Sequence, residues 1–260
     1  MKKKKILLML TALALLAALS SCYHPFLIGN GKLVTNEKTV SSFGSIQISG
    51  AAVVNYHTSG GNRVVFTTDS NVADHVEITT RLNTLHICMK PGFSISPTSL
   101  IVDVYGPPEL GGVTISGASS FTTEDRLNSS SFKTRISGLG KIRTANIECN
   151  EFDTSISGSG EISGNVNCSS FTANISGTGK ISLTGKSDDA RLVISGVGVY
   201  EGFNFETKRS SVNMSGSGTV NIWTQDHIIA SVSGMGLIKY RGEPSVEFRG
   251  SGMGRIEKAN

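Results

Sequence analysis

Phe203, Trp223 and Arg241 lie 20 and 18 residues apart and hold the most usable recognition chemistry in the chain. If they project outward at one strand spacing, two aromatic faces and a guanidinium form a stacking and cation–π platform for a sugar or an aromatic group. The competing reading is that they pack under a corner or against the C-terminal end, and the sequence favours it. Hydrolytic chemistry is less well supplied. Polysaccharide cleavage needs two carboxylates flanking one bond. Asp188 and Asp189 are adjacent, and neighbouring acids on a turn ordinarily just solvate it. Asp153, Glu161, Glu201, Asp226 and Glu243 fall at differing points of the repeat set out below. His24, His57, His75, His86 and His227 are dispersed, and the chain contains no Gly-x-Ser-x-Gly, His-Glu-x-x-His or Cys-x-x-Cys. No catalytic residue, metal ligand or cofactor is therefore expected.

A different chemistry, acylation, is written at the N-terminus. Lys2 to Lys5 precede an apolar run from Ile6 to Leu19, and Leu19-Ser20-Ser21-Cys22 has the form of a bacterial lipobox. The apolar run is short for a membrane span, which takes about 20 residues. Residues 1–21 therefore read as a lipoprotein signal peptide, with Cys22 as the lipidated (palmitate-type) residue and a membrane as partner. More than one acyl chain on that cysteine would anchor the protein stably. The whole chain has 24 Lys plus Arg against 20 Asp plus Glu, and removing the four signal lysines leaves 20 against 20. A neutral mature chain carries no nucleic-acid footprint.

The elements that must position these residues are set by a repeat. An apolar residue, Ser-Gly-x-Gly-x and a second apolar residue recur seven times, beginning at Ile136, Ile156, Ile175, Ile194, Met214, Val232 and Gly250. A degenerate copy starts at Ile115. The motif serines, from Ser116 to Ser251, are separated by 21, 20, 19, 19, 20, 18 and 18 residues. Such a period means a solenoid. The Gly-x-Gly pair has neither the spacing nor the helix of a phosphate loop, and no Asp follows it as a calcium β-roll would require. It is expected to supply positive φ at a sharp turn.

Residues before each motif alternate with period two, so one face is buried. The expected inward triplets run from Phe132/Thr134/Ile136 through Phe152/Thr154/Ile156, Phe171/Ala173/Ile175, Ala190/Leu192/Ile194, Ser210/Val212/Met214 and Ile228/Ala230/Val232 to Val246/Phe248/Gly250. Bulk at one site trades against bulk at the next, as a close-packed interior of fixed section demands. Stacking should also place Lys141, Glu161 and Lys180 in one column and Lys133 over Asp153. Cys149 and Cys168 should stack in adjacent coils, as two neighbouring thiols in preference to a bridge. Met235 and Met253 form apolar tips between motif glycines.

Residues 22–40 read as a tether, 41–112 as an N-terminal β region or cap of early coils, and 113–260 as a β-solenoid of about eight coils of 18–21 residues. Ile48-Ser-Gly-Ala resembles the degenerate Ile115 copy. A cap has a physical motive, because an open solenoid end exposes unpaired strand edges. The C-terminal end has only Arg255, Glu257 and Lys258 to discourage edge pairing, so end-to-end association is open there.

Together the lipobox, the Ile48-Ser-Gly-Ala strand, the strand-rich stretch and the tandem Ile-Ser-Gly-x-Gly-x-Ile coils resemble the putative auto-transporter adhesin, head GIN domain family of Gram-negative bacteria, over roughly residues 40–260. The resemblance implies a β-helical exported protein and brings no catalytic residues. The expected protein is all-β, a single-stranded parallel β-helix with an irregular N-terminal portion. It would be lipid-anchored in the cell envelope, at the outer membrane with its periplasmic side slightly favoured, and would bind a glycan or protein ligand without catalysis. A polysaccharide-active β-helix enzyme and a passive envelope scaffold are the alternatives.

Overall fold

The computed structural model describes residues 25–259, and 74% of them are strand. From Ala118 onward the strands are long because they run around the coil without a break. Ala118–Ile136, Leu139–Ile156, Ser159–Ile175, Thr178–Ile194, Val197–Met214 and Ser217–Val232 are interrupted only at the Ser-Gly pair of each motif. Eight motif corners bound about seven turns of a parallel β-solenoid. At each corner the serine N–H donates to the apolar residue one turn back. Ser157 bonds to the Ile136 carbonyl at 2.9 Å, and Ser176 to that of Ile156 at 3.0 Å.

The register is the one the repeat dictates. Ile136, Ile156, Ile175 and Ile194 pair in sequence, continued on one side by Met214 and Val232 and on the other by Ile115, Ile48 and Ile87. A second inward column runs from Val102 and Val54 through Phe121, Ile142, Ile162, Ile181, Tyr200, Val220 and Ile238. A third, beyond the expected triplets, is Leu127, Ile147, Val166, Gly185 and Phe205. Side chains of all three meet in one core. Phe132, Phe152 and Phe171 stack at 6.2 and 5.7 Å. Where the next residue of that column shrinks to Ala190, Tyr200 and Phe205 close on Phe171 at 5.9 and 5.3 Å, so bulk is exchanged across faces as well as along one.

Two details of the sequence reading are corrected by the backbone. The first motif glycine does not supply positive φ: among the described residues only Gly252 of the repeated motifs has one. Glycine is needed because the coils approach backbone to backbone. A Cβ on Gly158 would lie 2.1 Å from the Gly138 carbonyl oxygen, and one on Gly177 2.0 Å from that of Gly158. Secondly, the triplet Val246/Phe248/Gly250 keeps inward register on Ile228/Ala230/Val232 yet is exposed, because no further row covers it among the described residues. Six of the seven triplets are buried.

The N-terminal region winds out of chain order. Ser45–Ile48 and Val53–His57 form a row that lies directly on the first motif coil, through Ile46 on Val113 and Val54 on Phe121. The chain then leaves and builds an outer row from Thr84–Met89 and Leu100–Tyr105 before returning at Gly112. Antiparallel strands close the end: Arg63–Asp69 and Leu33–Thr39 beyond Leu100–Tyr105, and Val76–Arg81 beyond Thr84–Met89. Residues 26–39, expected in a tether, are therefore largely paired. Leu33–Thr39 lies along Arg63–Asp69, and Phe26–Ile28 pairs in parallel with Ser94–Ser96. Cys22 lies outside the described residues.

Candidate functional site

Along one outer flank of the coils runs a shallow groove of about 460 Å³. Its floor follows from the position just after each closing apolar residue, where Arg143, Ser163, Ser182 and Glu201 pair in one outward column. Beside them lie Asn165 and Thr184, joined by an Asn165 Nδ2 to Thr184 Oγ1 hydrogen bond of 3.0 Å, and Asn204. Small hydroxyl and amide side chains thus form the walls, Glu124 and Arg143 stand at one end, and Phe203 closes the other. Glu201 accepts a 2.8 Å hydrogen bond from Asn221 of the next coil.

The three recognition residues are placed differently from the column expected of them. Trp223 pairs with Arg241 as the period requires, but on its other side it pairs with Glu206. The register slips between Gly202 and Glu206, so residues 203–205 bulge and Phe203 has no partner in the Trp223 row. The bulge has a packing cause: it turns Phe205 into the core, where it fills the space beside Ala190. Arg241 nonetheless reaches across the intervening coil. Its guanidinium lies 4.4 Å from the Phe203 ring centroid and Nη1 donates to the Phe203 carbonyl at 3.5 Å. The structure therefore brings Phe203 and Arg241 together on the flank, while Trp223 is half-buried and does not line the groove. Arg143, Ser163 and Ser182 were missed by the sequence reading. The signal was available, since each follows the motif's closing isoleucine.

The remaining polar chemistry is neutralised in place. Asp189 accepts two 2.7 Å hydrogen bonds from Arg209, and Asp188 a 2.7 Å contact from Lys208, so the tight acidic pair meets a tight basic pair one coil on. The Lys208 ammonium holds the Asp188 carboxyl below its ordinary value. Lys141, Glu161 and Lys180 share the expected column, with Lys141 and Glu161 2.9 Å apart. Lys133 does lie over Asp153, yet the ion pair to Asp153 comes diagonally from Arg135 at 3.8 Å. No group of three His, Cys, Asp or Glu among the described residues is placed to hold a metal.

Cys149 and Cys168 are half-buried and unbridged. The neighbouring Cys168 side chain and burial push the Cys149 thiol far above its ordinary range. The apolar motif tips Leu139, Val197, Met235 and Met253 are exposed at their corners, with Ser or Thr tips at the corners between.

Solved structures share this architecture. A protein described as a putative adhesin from Parabacteroides merdae superposes with a TM-score of 0.84 at 23% identity, covering 91% of this chain and all of its own. A second putative adhesin, from Parabacteroides distasonis, gives 0.85 at 24%, with 90% and 100% covered. A putative lipid binding protein from the same organism gives 0.84 at 22%, again with 90% and 100% covered. At these identities the likeness is one of fold. No curated protein sequence matches the chain. Among the described residues no helix is long and apolar enough to cross a membrane. The sequence profile of one family spans residues 42–244, and by that match the chain belongs to the putative auto-transporter adhesin, head GIN domain family.

Proposed function

We propose that the protein is an exported lipoprotein, acylated at Cys22, whose rigid β-solenoid presents the flank groove to a hydroxyl-rich ligand, a glycan segment. The groove carries this reading: hydroxyl and amide side chains at strand spacing suit the hydrogen-bonding groups of successive sugar units, and Phe203 supplies an aromatic wall at one end. The Arg241 guanidinium holds that ring in place and leaves its own remaining donors free. Paired or hydrogen-bonded carboxylates at Asp188, Asp189 and Glu201 favour binding over catalysis.

Glycan-array binding by the wild-type chain and by Phe203→Ala tests the groove. Losing an aromatic contact of about 0.5–1.5 kcal/mol should weaken capture by up to about tenfold. A chain that captures no glycan, or a Phe203→Ala variant that binds as well as wild type, would remove the groove from consideration and leave the scaffold reading. The envelope position is tested separately. Mass spectrometry of the exported chain should show acyl groups on Cys22, and the protein should resist protease on intact cells and be cut after outer-membrane permeabilisation. Cleavage on intact cells would place it at the cell surface instead.

A further inference from the structure

The N-terminal end of the stack has a surface that suits neither water nor a protein core. Phe26–Ile28 is a strand with apolar residues on both faces. Leu27 turns toward the body, while Phe26 is 66% and Ile28 62% exposed. A strand with one solvated face ordinarily carries polar residues there. Phe93, 42% exposed, adjoins the paired strand Ser94–Ser96 and lies against His75 with ring centroids 4.6 Å apart. The two segments that build this face, residues 25–35 and 90–99, contain two lysines, Lys32 and Lys90, and no carboxylate. Both lysines are exposed.

This apolar, weakly cationic face is held firmly. The Ser94 N–H donates to the Pro25 carbonyl at 3.1 Å, Gly29 N–H to the Ser96 carbonyl at 3.0 Å, and Asn71 Nδ2 to the Ile28 carbonyl at 2.8 Å. Behind it the buried Asp69 carboxylate accepts from Gly31 N–H at 2.7 Å and from the Thr98 N–H and hydroxyl at 2.8 and 2.7 Å. One carboxylate thus ties both segments to the strand Arg63–Asp69.

We propose that this end of the solenoid rests on the phospholipid bilayer, with Phe26, Ile28 and Phe93 in its interfacial layer and Lys32 and Lys90 among the headgroups. The inference rests on acylation of Cys22. Pro25 follows Cys22 by three residues, which span at most about 11 Å even when fully extended. Because Pro25 is fixed to the body, the acylated residue cannot stand off from this face by a long tether. Apolar side chains on an interfacial element sink roughly 5–10 Å into the headgroup and acyl boundary, within that reach. The orientation has a consequence for the groove. From the Leu100–Tyr105 row to the Met235–Arg241 row the stack climbs eight strand spacings, roughly 38 Å, so the Phe203 and Arg241 end of the groove would stand well clear of the lipid.

The test uses the full chain, exported and acylated in cells, in a Trp223→Phe background. It is reconstituted into phosphatidylethanolamine and phosphatidylglycerol vesicles with brominated acyl chains. A single tryptophan is placed by Phe26→Trp, by Phe93→Trp, or at the opposite end by Phe248→Trp. The expected result is quenching at least threefold stronger at positions 26 and 93 than at 248. The two N-terminal reporters guard against one substitution disturbing the fold, which circular dichroism checks. Equal or absent quenching at both N-terminal positions, in a chain that carries acyl groups and floats with the vesicles, overturns the docked face and leaves the anchor standing. A chain that neither carries acyl groups nor floats overturns both.

Discussion

The two ends of the solenoid treat the same inward pattern in opposite ways. At the N-terminal end antiparallel strands are laid over the outermost parallel row, and Phe43, Tyr56 and Val104 beneath them are buried. At the C-terminal end Val246 and Phe248 hold the same inward register as the residues below them, yet Phe248 is 36% exposed where Phe132 is fully buried. Direction is therefore a property of the strand, set by its alternation, whereas burial is a property of the stack and needs a covering row. In a structure whose rows touch only their neighbours, stability should fall off toward the uncovered end.

The largest expected effect tests that difference. Phe43→Ala removes a ring packed edge-on to Tyr56 at 6.4 Å and should cost about 3–5 kcal/mol. Phe248→Ala, at the end where its row is uncovered among the described residues, should cost no more than about 1 kcal/mol. Urea unfolding followed by hydrogen exchange would resolve the two, since exchange reports each row separately. Equal losses would mean that the C-terminal row is covered in solution by something outside these contacts.

Between the ends, the close backbone approach sets the next effect. Gly158→Ala drives a methyl against the Gly138 carbonyl oxygen, 2.1 Å from an ideal Cβ, with backbone rather than a flexible side chain in the way. Overpacking of this kind costs about 1–3 kcal/mol or more. Exchange should accelerate on both sides of the Ser157-Gly158 corner while the capped N-terminal strands stay protected. A neutral result would show that the neighbouring coil yields enough to admit a methyl, so that the close approach does not require glycine.

That glycine marks the limit of what the sequence discloses. The winding, the inward triplets and the Ile136 to Ile194 column follow from period and alternation, because both are periodic in the chain itself. Reasons that depend on the neighbouring turn do not. The same Ser-Gly-x-Gly pattern fits a residue needing positive φ and a residue needing no Cβ, and only the distance to the coil below decides. The slip between Gly202 and Glu206 was hidden likewise. Counting residues placed Phe203 over Trp223, but Phe205 is drawn into space left by Ala190 on another face, and spacing along the chain does not record that vacancy. At the N-terminus the row order was illegible for a related reason: Ser45–Ile48 and Gly112–Ile115 are adjacent in the stack but far apart in the chain. Residues 22–40, with no periodic apolar pattern, gave no sign that Leu33–Thr39 pairs along its whole length.

Acid should separate the ends in a milder way. Asp69 is held below its ordinary carboxyl value of 3.8, mainly by the Thr98 hydroxyl and further by the Gly31 and Thr98 N–H groups. A carboxyl depressed in the folded state contributes stability that is full above its unfolded value and disappears as pH falls through the folded one. Protection at Gly31 and Thr98, corrected for the intrinsic exchange rate at each pH, should therefore fall below about pH 4 in the wild type. Asp69→Asn should show faster exchange there at neutral pH as well, because an amide cannot accept all three bonds in the same geometry. Uniform acid loosening along the stack would show that Asp69 does not pin this end.

The smallest effect concerns what the open end does with its exposed residues. Val246 and Phe248 sit on a row whose outer strand edge has no partner among the described residues, and such an edge invites a second chain. Against that stand Glu247 and Arg249, which alternate with them, and Arg255, Glu257 and Lys258 on the closing strand, with Lys258 bonded to Glu243 and Lys239 3.7 Å from Glu257. Paired charges deter edge association less than free ones, since each carries its own neutraliser to the contact. The chain is thus expected to dimerise weakly through this end as its concentration rises, and Phe248→Glu, which buries a carboxylate in any such contact, should raise the dissociation constant by about tenfold or more, or about 1.4 kcal/mol. Sedimentation equilibrium of the two proteins decides it. A wild type that stays monomeric at every concentration would mean that charge on the last two strands is enough to guard an end the fold leaves open, and the N-terminal cap would then be needed for burying core rather than for preventing association.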